Sequence, residues 1–138
     1  MSTLDLPRGS ERVLVVEDQD ALRESLCTVL ARLGYHVFQA KNPYHAEAIA
    51  IEAQVDVLLM DVILPSVCGI TLAEQIARHR PNVKILYMSG YTTEEVMQDH
   101  GEHPPGMDFL QKPFDVRTLA TRLRELLDSN RSATTVTV

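Results

Sequence analysis

The stretch VDVLLMDVILP, residues 55–65, decides the fold. Val57 to Met60 are four consecutive apolar residues, and a run of this kind is a strand buried on both faces, as in the interior of a parallel sheet. Asp61 follows directly. An ionised carboxylate beside such a strand has to be solvated, paired or bound to a metal. The same residues therefore raise a structural question and a chemical one.

Working outward, short apolar runs alternate with longer stretches of helical period along the whole chain, which is the pattern of a parallel sheet wrapped by helices. Strands are expected near 12–16 (RVLVV), 36–39 (HVFQ), 55–60 (VDVLLM), 83–88 (VKILYM) and 107–110 (MDFL). The first helix, about 19–33, sets Leu22, Leu26, Val29, Leu30 and Leu33 on one stripe at the 3.6-residue period, and Gly34 stops it. A second helix starts near Pro43, and a third runs from about Ile70 to His79, ending before Pro81. The last begins after Asp115, a capping residue, and repeats Val116, Leu119, Leu123, Leu126 and Leu127 on one face. Between Ser89 and Met107 the pattern allows only a short helix followed by breakers.

The chain has 138 residues, 45% of them hydrophobic, and a formal net charge of −6. That length suits one domain. We expect it to cover 11–128, with frayed tails at 1–10 and 129–138. No apolar run approaches the roughly 20 residues of a membrane helix, and the opening MSTLDLPRGSE lacks the apolar centre of a secretion signal, so a cytoplasmic setting is expected. Lys and Arg are scattered, which disfavours nucleic acid as a partner. Cys27 and Cys68 form no ligand-spaced cluster with histidine. His36, His45, His79, His100 and His103 are dispersed and read as surface residues.

In an open parallel sheet, sites form beyond the carboxyl ends of the strands. Here those ends carry Glu17-Asp18, Asp61, Ser89-Gly90 and Lys112-Pro113. Three carboxylates crowded at one edge repel one another, and a bound cation would relieve the conflict. Oxygen ligands of this kind suit Mg²⁺, which keeps several waters and shares sites with phosphate. Lys112 could neutralise phosphoryl oxygens and the Ser89 hydroxyl could donate to one. Asp61 could itself be the nucleophile, giving an aspartyl phosphate. The plainer alternatives are a loop-capping role for Asp61, a turn hydroxyl for Ser89 and a surface lysine before a loop proline.

Taken together, Glu17-Asp18 after VLVV, Asp61 in LLMDVILP with Gly69 following, the hydroxyl in MSGYT, and FLQKPF resemble the receiver domain of two-component response regulators, over roughly residues 11 to 128. The resemblance implies a flavodoxin-like, doubly wound five-stranded parallel sheet in the order 2-1-3-4-5. It implies that Asp61 is the phosphorylated aspartate, that Asp18 and Asp61 give side-chain oxygens to Mg²⁺, that Glu17 holds the metal through water, and that the backbone carbonyl of Ile63 is a further ligand. It also implies a switch hydroxyl at Ser89, the site lysine at Lys112 with a cis bond to Pro113, and a rotamer-switching aromatic at Phe109. The acidic pair is Glu-Asp where many relatives have Asp-Asp. The implied partner is a histidine kinase or histidine phosphotransfer protein, and the implied output surface is the face of the fourth helix, fifth strand and fifth helix, with no enzymatic activity in this segment.

Two rivals share parts of the pattern. A haloacid-dehalogenase-like phosphatase needs a second carboxylate where Ile63 stands. A flavodoxin-like FMN module needs a first loop that cradles phosphate, and Glu17-Asp18 would repel one. Within the receiver reading, ILYMSGYT, FLQKPF and PRGSERVLVVED look most like receivers of hybrid sensor histidine kinases; a stand-alone regulator and a phosphate shuttle are the alternatives. The bulk of Ile63 and Tyr91, two residues past Asp61 and Ser89, suggests a long-lived phosphoryl group.

Overall fold

The five apolar runs become five parallel strands, β1 (Arg12–Val16), β2 (His36–Ala40), β3 (Val57–Asp61), β4 (Lys84–Ser89) and β5 (Asp108–Gln111), in one sheet ordered β2-β1-β3-β4-β5. The computed structural model describes residues 6–62, 64, 68–89 and 108–129. Four helices join and follow the strands in the described residues: α1 (Asp20–Arg32), α2 (Pro43–Glu52), α3 (Gly69–His79) and α4 (Val116–Asp128). The expected short helix between β4 and β5 lies outside the described residues. The strand expected at 55–60 is observed at 57–61, because Val55 and Asp56 form the approach to it. Asp56 accepts the Arg12 N–H on its side chain at 2.8 Å and gives its own N–H to the Arg12 carbonyl at 2.9 Å.

Alternation along each strand feeds two cores, one on each face of the sheet. Leu14, Val16, Leu58 and Met60 pack with Ala46 and Ala50 of α2 and with Leu72 and Ile76 of α3. Val13, Val15, Val57 and Leu59 pack with Leu26 and Leu30 of α1 and with Leu119 and Leu123 of α4. The central strands are thus buried on both sides, which is why VLLM reads as an unbroken apolar run.

The helix ends follow local chemistry. Gly34 closes α1 at φ 101°, a conformation open to glycine, and a Cβ there would meet the Gly9 carbonyl oxygen at 2.4 Å. Asn42 caps α2 by accepting from the His45 N–H at 3.0 Å, and Asp115 caps α4 by accepting from the Thr118 N–H at 2.8 Å. Lys84, at the start of β4, caps the far end of α4 by donating to the carbonyls of Leu127 and Ser129.

Residues 6–10, expected to fray, are held. Leu6 is buried in the α1–α4 core, the Gly9 N–H donates to the Leu33 carbonyl at 3.1 Å, and Arg8 donates to the Arg32 carbonyl at 2.9 Å. Arg124 of α4 donates to the Arg8 carbonyl at 3.0 Å and to both carboxylate oxygens of Glu11. A charged side chain 116 positions away therefore fastens a segment that has no packing period of its own.

The order of strands sets the place of the site. The chain leaves β1 toward β2 and returns on the other side of β1 as β3, so the loops after β1 and β3 diverge and leave a crevice between them. No helix among the described residues is long and apolar enough to cross a membrane.

Candidate functional site

Parallel register brings the chemistry-bearing residues to one edge. Val16 pairs with Met60, so the residues that follow, Glu17 and Asp61, leave the sheet side by side. Asp61 itself pairs with Met88, one residue before Ser89, and Ser89 pairs with Gln111, one residue before Lys112. The ladder continues one step beyond β5, where the Lys112 N–H donates to the Ser89 carbonyl at 2.7 Å. The Lys112–Pro113 bond is cis.

Lys112 is the centre of the arrangement. Its ammonium donates to Asp61 Oδ2 at 2.6 Å and to Glu17 Oε1 at 3.0 Å. The side chain of Glu17 is 1% exposed and that of Asp61 14%. Burial alone would lower the Lys112 pKa, but its hydrogen bonds to Asp61 and Glu17 outweigh this and raise it. Lys112 is therefore a fixed cation.

Burial raises the pKa of Glu17, and the adjoining Asp18 side chain adds to the rise; the Gln19 N–H, donating to Glu17 Oε2 at 3.1 Å, and Lys112 work against it. Asp18 is exposed and follows Glu17 on the same loop. Glu17 and Asp61 thus share one ammonium, and Asp18 adds a third carboxylate on the loop that follows β1. The donors are all oxygens, which fits a hard, water-rich cation such as Mg²⁺. Among the described residues no three His, Cys, Asp or Glu side chains form a metal cage by themselves. That is compatible with an ion held by two carboxylates, a carbonyl and water.

The backbone under Asp61 is tightly built. The Val62 N–H donates to the Met88 carbonyl at 3.0 Å, and the Gly69 N–H donates to the Val62 carbonyl at 2.5 Å. A Cβ on Gly69 would lie 2.2 Å from the Asp61 carbonyl oxygen and 3.0 Å from Val62 Cα, so α3 can start this close to the strand only with glycine.

Of the other expected site residues, Ser89 is 2% exposed at the end of β4. Phe109 stands within β5, opposite Tyr87 in register, with ring centroids 5.5 Å apart. Ile63 and Tyr91 lie outside the described residues, as do His100 and His103. His36, His45 and His79 are exposed. Both cysteines are free thiols.

Sequence reasoning passed over Arg23. It is 8% exposed and sits behind the Glu17-Asp18 loop, donating to the Glu17 carbonyl at 2.9 Å. Helical periodicity gives no sign of it, since Arg23 adjoins the apolar stripe without belonging to it.

The profile of the response regulator receiver domain matches residues 13–124. The sensor kinase CckA of Brucella abortus (strain 2308) is 34% identical over 122 residues, covering 87% of this chain and 13% of CckA. The response regulator receiver protein CpdR of the same organism is 30% identical over 117 residues, covering 85% of this chain and 97% of CpdR. Among solved structures, the receiver domain of the hybrid histidine kinase CckA superposes with a TM-score of 0.71 at 34% identity, covering 85% of this chain and 99% of that one.

Proposed function

Because the chain belongs to the response regulator receiver family, a family of signalling domains rather than catalytic enzymes, we propose that it accepts a phosphoryl group on Asp61 from a phosphohistidine of a kinase or histidine phosphotransfer protein. The observation that carries this reading is the single ammonium of Lys112 shared between Asp61 at 2.6 Å and Glu17 at 3.0 Å. An Asp61 carboxylate oxygen would bond to phosphorus as the bond from phosphorus to the donor imidazole nitrogen breaks, and the imidazole leaves. Lys112, already charged and beside the acceptor, would neutralise phosphoryl oxygens as charge builds on them. The Ser89 hydroxyl would donate to a phosphoryl oxygen.

Asp18 and Asp61 would hold Mg²⁺ through side-chain oxygens, with the Ile63 carbonyl as a further ligand and Glu17 acting through water. When bound, the ion would supply the positive charge that the three carboxylates lack. Movement of Ser89 toward the phosphoryl group would open space for Phe109, changing the surface around β5 and α4 that a downstream protein reads.

The test is direct. Incubated with phosphoramidate and Mg²⁺, the protein should gain one phosphoryl group, located at Asp61 by mass spectrometry. Asp61→Asn should abolish the gain, and persistence of an aspartyl phosphate in that variant would refute the assignment.

The similarity to the CckA receiver supports a place within a hybrid sensor histidine kinase; we propose a cytoplasmic setting for the domain. The 97% coverage of CpdR supports a second reading, a regulator that consists of the receiver alone. An antibody against this domain separates them: the first predicts a native band of kinase size, the second a band at the size of this chain.

A further inference from the structure

Arg23 is almost fully buried although it carries a full charge, and it lies behind the acidic loop, not within it. Its Nη1 donates to the Glu17 carbonyl at 2.9 Å, its Nε to Gln39 Oε1 at 2.9 Å and its Nη2 to Asp20 Oδ1 at 2.6 Å. One planar fork thus ties the first residue of the loop to β2 and to the first turn of α1.

Stability does not account for this placement. Taking a guanidinium out of water is costly, and an apolar side chain of similar volume often serves a core equally well or better. The ion pair to Asp20, whose side chain is 70% exposed, contributes little. What the site does require is restraint, since Glu17 and Asp18 are adjacent carboxylates, and like charges placed side by side repel. Gln19, the residue before α1, gives the helix no side-chain cap, and the hydrogen bond inside the turn, from the Gln19 N–H to Glu17 Oε2 at 3.1 Å, holds the side chain of residue 17 and not its carbonyl. The restraint comes from both sides of residue 17: its N–H donates to the Ala40 carbonyl at 3.2 Å, and its carbonyl accepts from Arg23.

We propose that Arg23 is a positioning residue of the divalent-cation site, fixing the backbone of Glu17 so that the Glu17 and Asp18 carboxylates stand where an oxygen-ligated cation needs them. This role rests on reading the acidic edge as a magnesium site. The guanidinium need not touch the ion; it acts through the carbonyl it holds, as outer-sphere partners do in other metal sites.

The experiment titrates Mg²⁺ by calorimetry into the full chain as wild type, Arg23→Met, Arg23→Lys and Arg80→Met. Arg80 is the control because it also donates to backbone carbonyls, those of Gln54 and Val55, at the opposite edge of the sheet. Arg23→Met should weaken Mg²⁺ binding about tenfold, and Arg23→Lys should recover part of the loss. In metal-free protein, the Gln19 amide should lose exchange protection in Arg23→Met and keep it in Arg80→Met. Transfer from phosphoramidate should return near the wild-type rate once Mg²⁺ is saturating.

Unchanged Mg²⁺ affinity in Arg23→Met, or an equal loss in Arg80→Met, overturns the proposal. Should Arg23→Met fail to fold, Gln39→Leu removes one anchor of the fork and must weaken binding in the same direction; unchanged binding there overturns it as well. A wild type that binds no Mg²⁺ would sink the reading of the site together with this role, whereas equal binding by wild type and Arg23→Met would sink the role alone.

Discussion

The Lys112 ammonium lies 2.6 Å from Asp61 Oδ2, reaching past the intervening strand β4, and the same nitrogen is 3.0 Å from Glu17 Oε1. A single cation therefore mediates between a buried carboxylate and the proposed acceptor. Replacing it by the isosteric but neutral methionine keeps the volume and removes the charge. Lys112→Met should slow phosphoryl transfer from phosphoramidate by about 10²-fold, the usual cost of deleting one preorganised charge-stabilising donor. Calorimetry should show Mg²⁺ binding no weaker, because a competing positive charge has gone. Transfer at the wild-type rate would remove Lys112 from the mechanism.

Glu17 faces the opposite trade. Its carboxylate is held buried next to Asp18, and both burial and that neighbour disfavour its charge. A glutamine removes the charge but has a single acceptor oxygen, so it keeps the hydrogen bond from Lys112 and sets its amide nitrogen, a donor, toward the Gln19 N–H. The rise in Tm on adding Mg²⁺ to Glu17→Gln should be smaller than for wild type, because stabilisation by a ligand follows its affinity. An Mg²⁺-induced rise as large as that of wild type would contradict this account of the acidic edge.

Gly69 couples the start of α3 to the backbone of Asp61. The atoms that a Cβ would meet belong to the main chain, so no side chain can swing aside to make room. Gly69→Ala should destabilise the domain by about 1–3 kcal/mol, the range for forced overpacking. Phosphorylation of Asp61 should slow at temperatures where the variant is still folded. Denaturant unfolding and transfer kinetics check the two effects separately, and a neutral change in both would mean that the loop yields easily.

Much of this arrangement was legible in the sequence because a parallel sheet converts linear order into location. Once RVLVV, VLLM and KILYM are strands, Glu17, Asp61 and Ser89 must emerge at one edge, and the cap at Asp115 and the stop at Gly34 are local chemistry. What escaped depends on partners distant along the chain. Arg8 belongs to the fold because Arg124 and the end of α1 hold it, Leu6 because the α1–α4 core buries it, and so short a segment shows no period. Arg23 was invisible for a related reason: an arginine beside an apolar stripe is normally solvent-facing, and only the approach of Gln39 and the Glu17 carbonyl buries it.

The clasp at the far end of the molecule gives the pH dependence. Arg124 holds both oxygens of Glu11, and this hydrogen bonding lowers the pKa of Glu11 below its ordinary 4.5, outweighing burial, which pulls the other way. A carboxylate whose pKa is lower in the folded than in the unfolded state binds fewer protons when folded, so its stabilising contribution is complete above about pH 4.5 and is lost as pH falls through the folded value. The pair is partly exposed, with side chains 23% and 28% accessible, and its contribution is about 0.5–1 kcal/mol after solvent screening. Glu11→Gln should lower stability by that amount at neutral pH and flatten the acid limb of a stability–pH curve measured by denaturant unfolding. The same variant keeps one acceptor oxygen for Arg124 and loses the other, so amide exchange at Gly9 should rise. A variant whose curve runs parallel to wild type from neutral pH to pH 3, by contrast, would show that Glu11 titrates alike in the folded and unfolded chain.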